Sequence, residues 1–171
     1  QTLLQLFPSD IELAKAIKSF RKSNNLEDVS ALSSFIERFP KSRWTPALKL
    51  NLGLLRFSSG YISQAMELWT SAWSASKGEE GREQKAVADR CIAEILQLNA
   101  KVGRMQEIEQ ILAQIKGRAF QGSMEQKVRA TTEALTQMHG HADKSFKCGP
   151  YAISSLLAVK KGKYEFNKTI D

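Results

Sequence analysis

Apolar side chains recur at three- and four-residue intervals from Ile11 to Met138, and short polar turns interrupt them. That period fits one face of an α-helix, whereas a half-buried strand needs strict alternation. "PSDIELAKAIKSF" places Ile11, Ala14, Ile17 and Phe20 on one face, with Ser9 and Glu12 at capping-box spacing. A second helix is predicted over about Leu26 to Phe39, where Val29, Leu32, Phe35 and Ile36 share a side. Pro40 ends it, because the residue before a proline is driven out of the helical region. A third begins at "WTPALKLNLGLLRFSSG", with Thr45 as N-cap, Pro46 in the first turn and Gly60 past the end. Further helices are predicted over Ile62 to Ser76, Glu83 to Val102 and Met105 to Ile115, the last closed by Gly117. A seventh opens at Ser123, with Gln126 three residues on, and carries Val128, Leu135 and Met138. β-branched residues are sparse and no alternating stretch precedes residue 150, so the expected fold is all-α: antiparallel pairs, about seven helices plus a short C-terminal one.

Composition narrows the functional classes. At 171 residues, with 42% apolar and 25% charged side chains, the chain has the make-up of a globular protein with its own core. No apolar run approaches the roughly 20 residues that span a bilayer, so no membrane span is expected. "QTLLQLFPSD" lacks a basic leader and a cleavage site; it reads as the start of a mature chain or of a piece of one. The net charge of +7 is scattered through "KSFRKS", "KSR", "KGR", "KSFK" and "VKKGK". No cluster reaches the ~5–8 basic residues of a nucleic-acid patch, so solvated helix faces are expected and nucleic acid is not an expected partner.

The pairs repeat one another. In "NLGLLRFSSGYISQAMELWTSA", small residues at Gly53, Gly60, Ala65 and Ala72 accompany Trp69. Small side chains let two helix axes approach, and a large aromatic fills the space to the next pair. The stretch from Pro46 to Glu79 resembles a tetratricopeptide repeat. Ala31, Phe35 and Pro40 fit the second half of a preceding unit, Gly103 fits the turn of a following one, and the "FP-S" junction is similar to bacterial envelope-type repeats. The resemblance covers roughly residues 10–120. It implies a right-handed superhelical stack whose concave face is lined by the first helix of each pair. The positions implied for a peptide groove are Leu13, Ala16 and Phe20; Leu50, Leu54 and Phe57; and Arg90, Ala93, Gln97 and Lys101. Trp69 and Trp73 stand one turn apart on one face and are expected in the core, with an aromatic ligand platform as the other reading.

Cys91 and Cys148 are too far apart for a disulfide framework or a metal motif. Cys91 lies among Val87, Ile92 and Ile95 and reads as a half-buried structural residue. His139 and His141, read as a loop pair with Asp143 nearby, fall short of the three or four ligands a metal site gathers; no metal and no cofactor is expected.

Cys148 is different. "FKCGPYAISSLL" sets it at a predicted helix start, with Pro150 in the first turn and Ala152, Ile153, Leu156 and Leu157 at helical spacing. Unpaired N–H groups and the helix dipole there favour a thiolate, the reacting species of a cysteine nucleophile. Cys148, Gly149, Pro150, Ala152 and Ile153 are similar to the nucleophile segment of papain-like cysteine peptidases of the bacteriocin-processing type. The resemblance implies a catalytic role for Cys148. "HADKSFK" lacks the Gln that such families place before the cysteine, and Gly149–Asp171 contains no His for a general base. The expected organisation is a helical repeat domain over 1–122, an additional helix and linker over 123–143, and over 144–171 the first segment of a peptidase-like domain whose remainder lies elsewhere. Together the two resemblances imply a bacterial, exported protein.

Three functions follow from these readings: a module that binds a protein or peptide, a presenter of substrate to a peptidase-like domain in which Cys148 is catalytic, and a structural scaffold or dimer contact with Cys148 inert. On each of them the 171-residue chain alone is expected to lack peptidase activity. Incubation with unfolded protein substrates and a thiol-reactive probe checks this, and robust turnover abolished by Cys148→Ala would overturn it.

Overall fold

The computed structural model describes residues 8–79, 81–141 and 156. Within them the chain is all-α, with seven helices and no strand. They are α1 (Pro8–Ser23), α2 (Ser30–Arg38), α3 (Thr45–Ser58), α4 (Ile62–Ser76), α5 (Arg82–Lys101), α6 (Met105–Gln114) and α7 (Ser123–Gly140). The chain divides into two compact units, Gln1–Ile95 and Leu96–Asp171, and the division falls inside α5.

In the first unit α1 packs on α2, α2 on α3, and α3 on α4. Ala16, Val29, Leu32, Phe35 and Leu52 form a buried cluster, covered by Leu13, Ile17, Phe20, Ile36, Phe39, Leu48, Leu55 and Leu68. The α3–α4 crossing is built on the absence of a side chain. A Cβ added at Gly53 would stand 2.5 Å from Cδ1 of Trp69, and closer still to Nε1. The indole therefore lies directly on the α3 backbone, where its Nε1–H donates to the Leu50 carbonyl at 3.2 Å. Only 1% of Trp69 is exposed. Burial of a side chain that size contributes about 5 kcal/mol before entropy is counted. Ala65 and Ala72, one turn to either side, are fully buried and let the axes stay close.

Two glycine turns act as expected. Gly60 after α3 has φ 84° and Gly103 after α5 has φ 72°, both in the left-handed region. Helix starts differ more. α2 begins at Ser30, four residues later than its apolar spacing predicts, and Leu26 is 66% exposed. Short polar side chains capture the backbone there: Asn25 Oδ1 accepts from the Glu27 N–H at 3.0 Å, and Asp28 Oδ1 accepts from the Ser30 hydroxyl at 2.6 Å and its N–H at 3.3 Å. These bonds hold the Asp28 carboxyl below its ordinary pKa.

The expected capping boxes are spent differently. Glu12 pairs with Lys15 at 2.7 Å and with Arg38 of α2 at 3.3 Å. Ser123 lies inside α7, behind an N-cap at Gly122 with φ 59°. Thr45 is a core residue rather than a cap. Its hydroxyl donates to the Phe39 carbonyl at 2.7 Å and ties the end of α2 to the start of α3. From the other side, Trp44 Nε1–H donates to Asp10 Oδ1 of α1 at 2.7 Å, and Arg43 donates to Asp10 Oδ2 at 3.1 Å.

In the second unit α6 packs against α7. Ile108 of α6 is fully buried, and Thr131 and Met138 of α7 are buried.

Gly53→Ala is expected to destabilise the chain by about 1–3 kcal/mol through overpacking, although alanine is favoured over glycine within a helix by about 0.5–1 kcal/mol. In a Trp69→Leu background the same change becomes neutral or stabilising. A double-mutant cycle by urea denaturation measures this, and additive effects would contradict the packing described.

Candidate functional site

Most of the expected groove positions on α1 and α3 are engaged in packing. Leu13 and Phe20 of α1 lie against the buried cluster of the first unit. Leu50 of α3 is buried, and its carbonyl takes the Trp69 indole. Phe57 stacks on the same ring, with centroids 5.6 Å apart and planes tilted by 42°. Leu54 is half-buried on α3, and Ala16 and Ala93 are buried. On α5, Arg90 Nε donates to Glu94 Oε1 at 2.5 Å, Gln97 is half-buried and Lys101 is exposed. Trp69 and Trp73 are core residues, while Trp44 is half-buried over its bond to Asp10.

The open space lies on a neighbouring stripe of α3. A groove of about 410 Å³ has α3 as its floor and α2 and α4 as its walls. Val29, Ile36, Leu52 and Leu68 supply its apolar base, and Glu37, Lys49, Arg56 and Glu67 surround it. Lys49 reaches across to α4, where Nζ donates to Ser71 Oγ at 2.7 Å. The stripe Lys49, Leu52, Arg56 runs beside the expected Leu50, Leu54, Phe57 and is offset from it by about one residue around the helix. The two cations Lys49 and Arg56 flanking Leu52 were the signal for it, since a stripe given over to packing is apolar along its length.

The cysteine chemistry divides in two. Cys91 of α5 is fully buried rather than half-buried. Desolvation, and then the nearby Glu94 carboxylate, push its thiol up to about 12, so at neutral pH it is protonated and inert. Cys148 and its Cys-Gly-Pro segment lie outside the described residues. His139 is in the last turn of α7 rather than in a loop, and its Nε2 lies 2.7 Å from Glu109 Oε1 of α6. His141 follows as the C-cap residue. Among the described residues no group of three or more His, Cys, Asp and Glu side chains is placed to hold a metal ion. Among them, too, no helix is long and apolar enough to cross a membrane.

In comparisons with known proteins, no family model matches the chain, and no curated protein and no solved structure matches it.

A thiol whose pKa is raised by folding keeps its proton after the unfolded chain has lost its own. The stabilisation is complete below the ordinary thiol range and is lost as the pH climbs from there towards about 12. Across that window the stability of the native sequence relative to Cys91→Ala is expected to fall by about 1.4 kcal/mol per pH unit. Paired urea melts at stepped alkaline pH check it, and a constant difference would contradict the burial.

Proposed function

We propose that the chain is a protein- or peptide-binding helical module, and that in the intact protein it holds a partner for an adjoining cysteine peptidase-like domain. The observation that carries the binding half is the groove between α2 and α4. Its base is apolar, and its two cations and two carboxylates can fix the direction of a bound segment. A buried apolar strip with a polar rim is the chemistry by which grooves of this kind take an amphipathic helix or an extended peptide. The Gly53–Trp69 crossing supports the resemblance to tetratricopeptide repeats, because it uses the small residue and the aromatic in the roles that such a repeat needs. The peptidase half rests on the likeness of the Cys148 segment alone.

Panning a phage-displayed library of random peptides against the purified chain tests the binding half. Enriched peptides are expected to lose affinity for the double variant Gln64→Arg, Glu67→Arg. Both residues line the groove and are exposed, so the thermal melt should stay unchanged. Failure to enrich any sequence, or peptides that bind the variant equally well, would favour a structural scaffold instead.

A further inference from the structure

A second concavity lies at the corner where α2 turns into α3, away from the groove and with no residue in common. It measures about 580 Å³. Its apolar walls are Pro8, Phe39 and Pro40, and its rim carries Arg38, Lys41 and Arg43; two serine hydroxyls complete the lining. Three cations and no carboxylate thus line an apolar hollow, with two carboxylates of α1 standing behind it.

The two arginines are held in place from behind. Asp10 of α1 holds Arg43 at 3.1 Å, and the Arg43 guanidinium lies 4.7 Å above the Trp44 ring. Glu12 of α1 holds Arg38 at 3.3 Å, with that guanidinium 5.3 Å from the Phe39 ring centroid. The side chains of Arg38 and Arg43 nevertheless remain 65% and 54% exposed. Arg38 therefore keeps exposed donors for a ligand, while each guanidinium is placed by a carboxylate and a ring. The backbone between them is stitched as well: Ser42 N–H donates to Phe39 O at 3.1 Å, Thr45 N–H to Ser42 O at 3.0 Å, and the Thr45 hydroxyl to Phe39 O at 2.7 Å. Lys41 sits between the arginines, exposed, with no ion-pair partner among the described residues.

We infer that this corner is a docking site for an acidic peptide segment that places one apolar side chain between carboxylates. Charge complementarity fixes the sign of the partner: the lining carries three cations, and the carboxylates of Asp10 and Glu12 behind it offset two of them, which leaves the Lys41 charge in excess. The apolar walls and a volume in the range of organic ligand sites fix the rest, because a lone anion would leave Pro8, Phe39 and Pro40 facing water. Pre-organised arginines lower the cost of ordering on binding, and that favours a carboxylate-bearing chain over loosely held counter-ions. A duplex backbone reads a broad basic face and does not need a hollow of this shape.

Fluorescence anisotropy with the peptide Glu-Asp-Phe-Asp-Glu-amide, carrying fluorescein on its N-terminal amine, on the full chain tests the inference. The peptide is expected to bind, and its affinity should fall by about tenfold or more when Gln and Asn replace its acids, and again for Lys41→Glu. Lys41→Glu leaves the folded contacts intact, as its unchanged circular dichroism should report, and the groove variant Gln64→Arg, Glu67→Arg should bind the acidic peptide as the native sequence does. Four outcomes would overturn the inference: equal binding of the neutral peptide, no binding up to about 1 mM, an unchanged affinity for Lys41→Glu, or equal displacement by an oligothymidylate of matched charge. A concentration-dependent dimer in sedimentation that Lys41→Glu dissolves would also overturn it, by assigning the corner to a second copy of the chain.

Discussion

The first unit depends on an indole resting on bare backbone. Trp69 can approach the Leu50 carbonyl only because Gly53 presents no Cβ. That approach brings α3 and α4 close together at the crossing. The position of Trp69 then decides where Phe57 goes, since the two rings stack. It also decides which stripe of α3 is left to face outward: Lys49, Leu52 and Arg56. The groove is therefore a consequence of the crossing, formed from what the crossing does not consume. Hairpins that buried the Leu50, Leu54, Phe57 stripe less deeply would place their open face elsewhere.

A second constraint acts at the other end of α3. Asp10, Arg43 and Trp44 tie the first turn of α1 to the start of α3, while Glu12 and Arg38 tie α1 to the end of α2. Exposed ion pairs contribute little to stability individually, of order 0–1 kcal/mol. Their effect here is geometric. Two carboxylates on one helix hold two guanidiniums on the far side of a turn, and the turn cannot open without breaking both pairs and the Thr45 hydroxyl bond. Stability comes from the apolar cluster, and the charges determine the shape of the corner.

Helices were legible in the sequence wherever the backbone obeyed its own periodicity. α4 runs over the residues its pattern indicates, and Gly60 and Gly103 stop their helices because only glycine adopts those angles without strain. Legibility failed where a side chain had two possible partners. Ser9, Glu12, Ser123 and Thr45 all suit caps by type and spacing, yet Glu12 has Arg38 within reach and Thr45 has the Phe39 carbonyl, partners distant in sequence. Asp28 did the reverse, winning a local bond that delays α2. The site was less legible for the same reason. Leu13, Phe20, Leu50 and Phe57 are apolar whether they line a groove or build a core, and only the placement of Trp69 and of the α1–α2 cluster separates the two.

α5 shows how far such ambiguity extends. It carries Asp89, Arg90, Glu94 and Asn99, yet residues 88–96 are almost continuously buried. A carboxylate taken out of water needs a partner, and α5 supplies one from the preceding turn for each: Lys85 reaches Asp89 at 2.6 Å and Arg90 reaches Glu94. The long cationic stems stay partly exposed while the acids sink, so the helix is covered without stranding a charge. The cost falls on the neighbour with no charge to pair. Cys91, one turn from Glu94, is held as a neutral thiol by burial and by that carboxylate together. An internal i, i+4 ladder thus makes a polar sequence buriable, and that burial, more than the Glu94 charge, keeps Cys91 protonated.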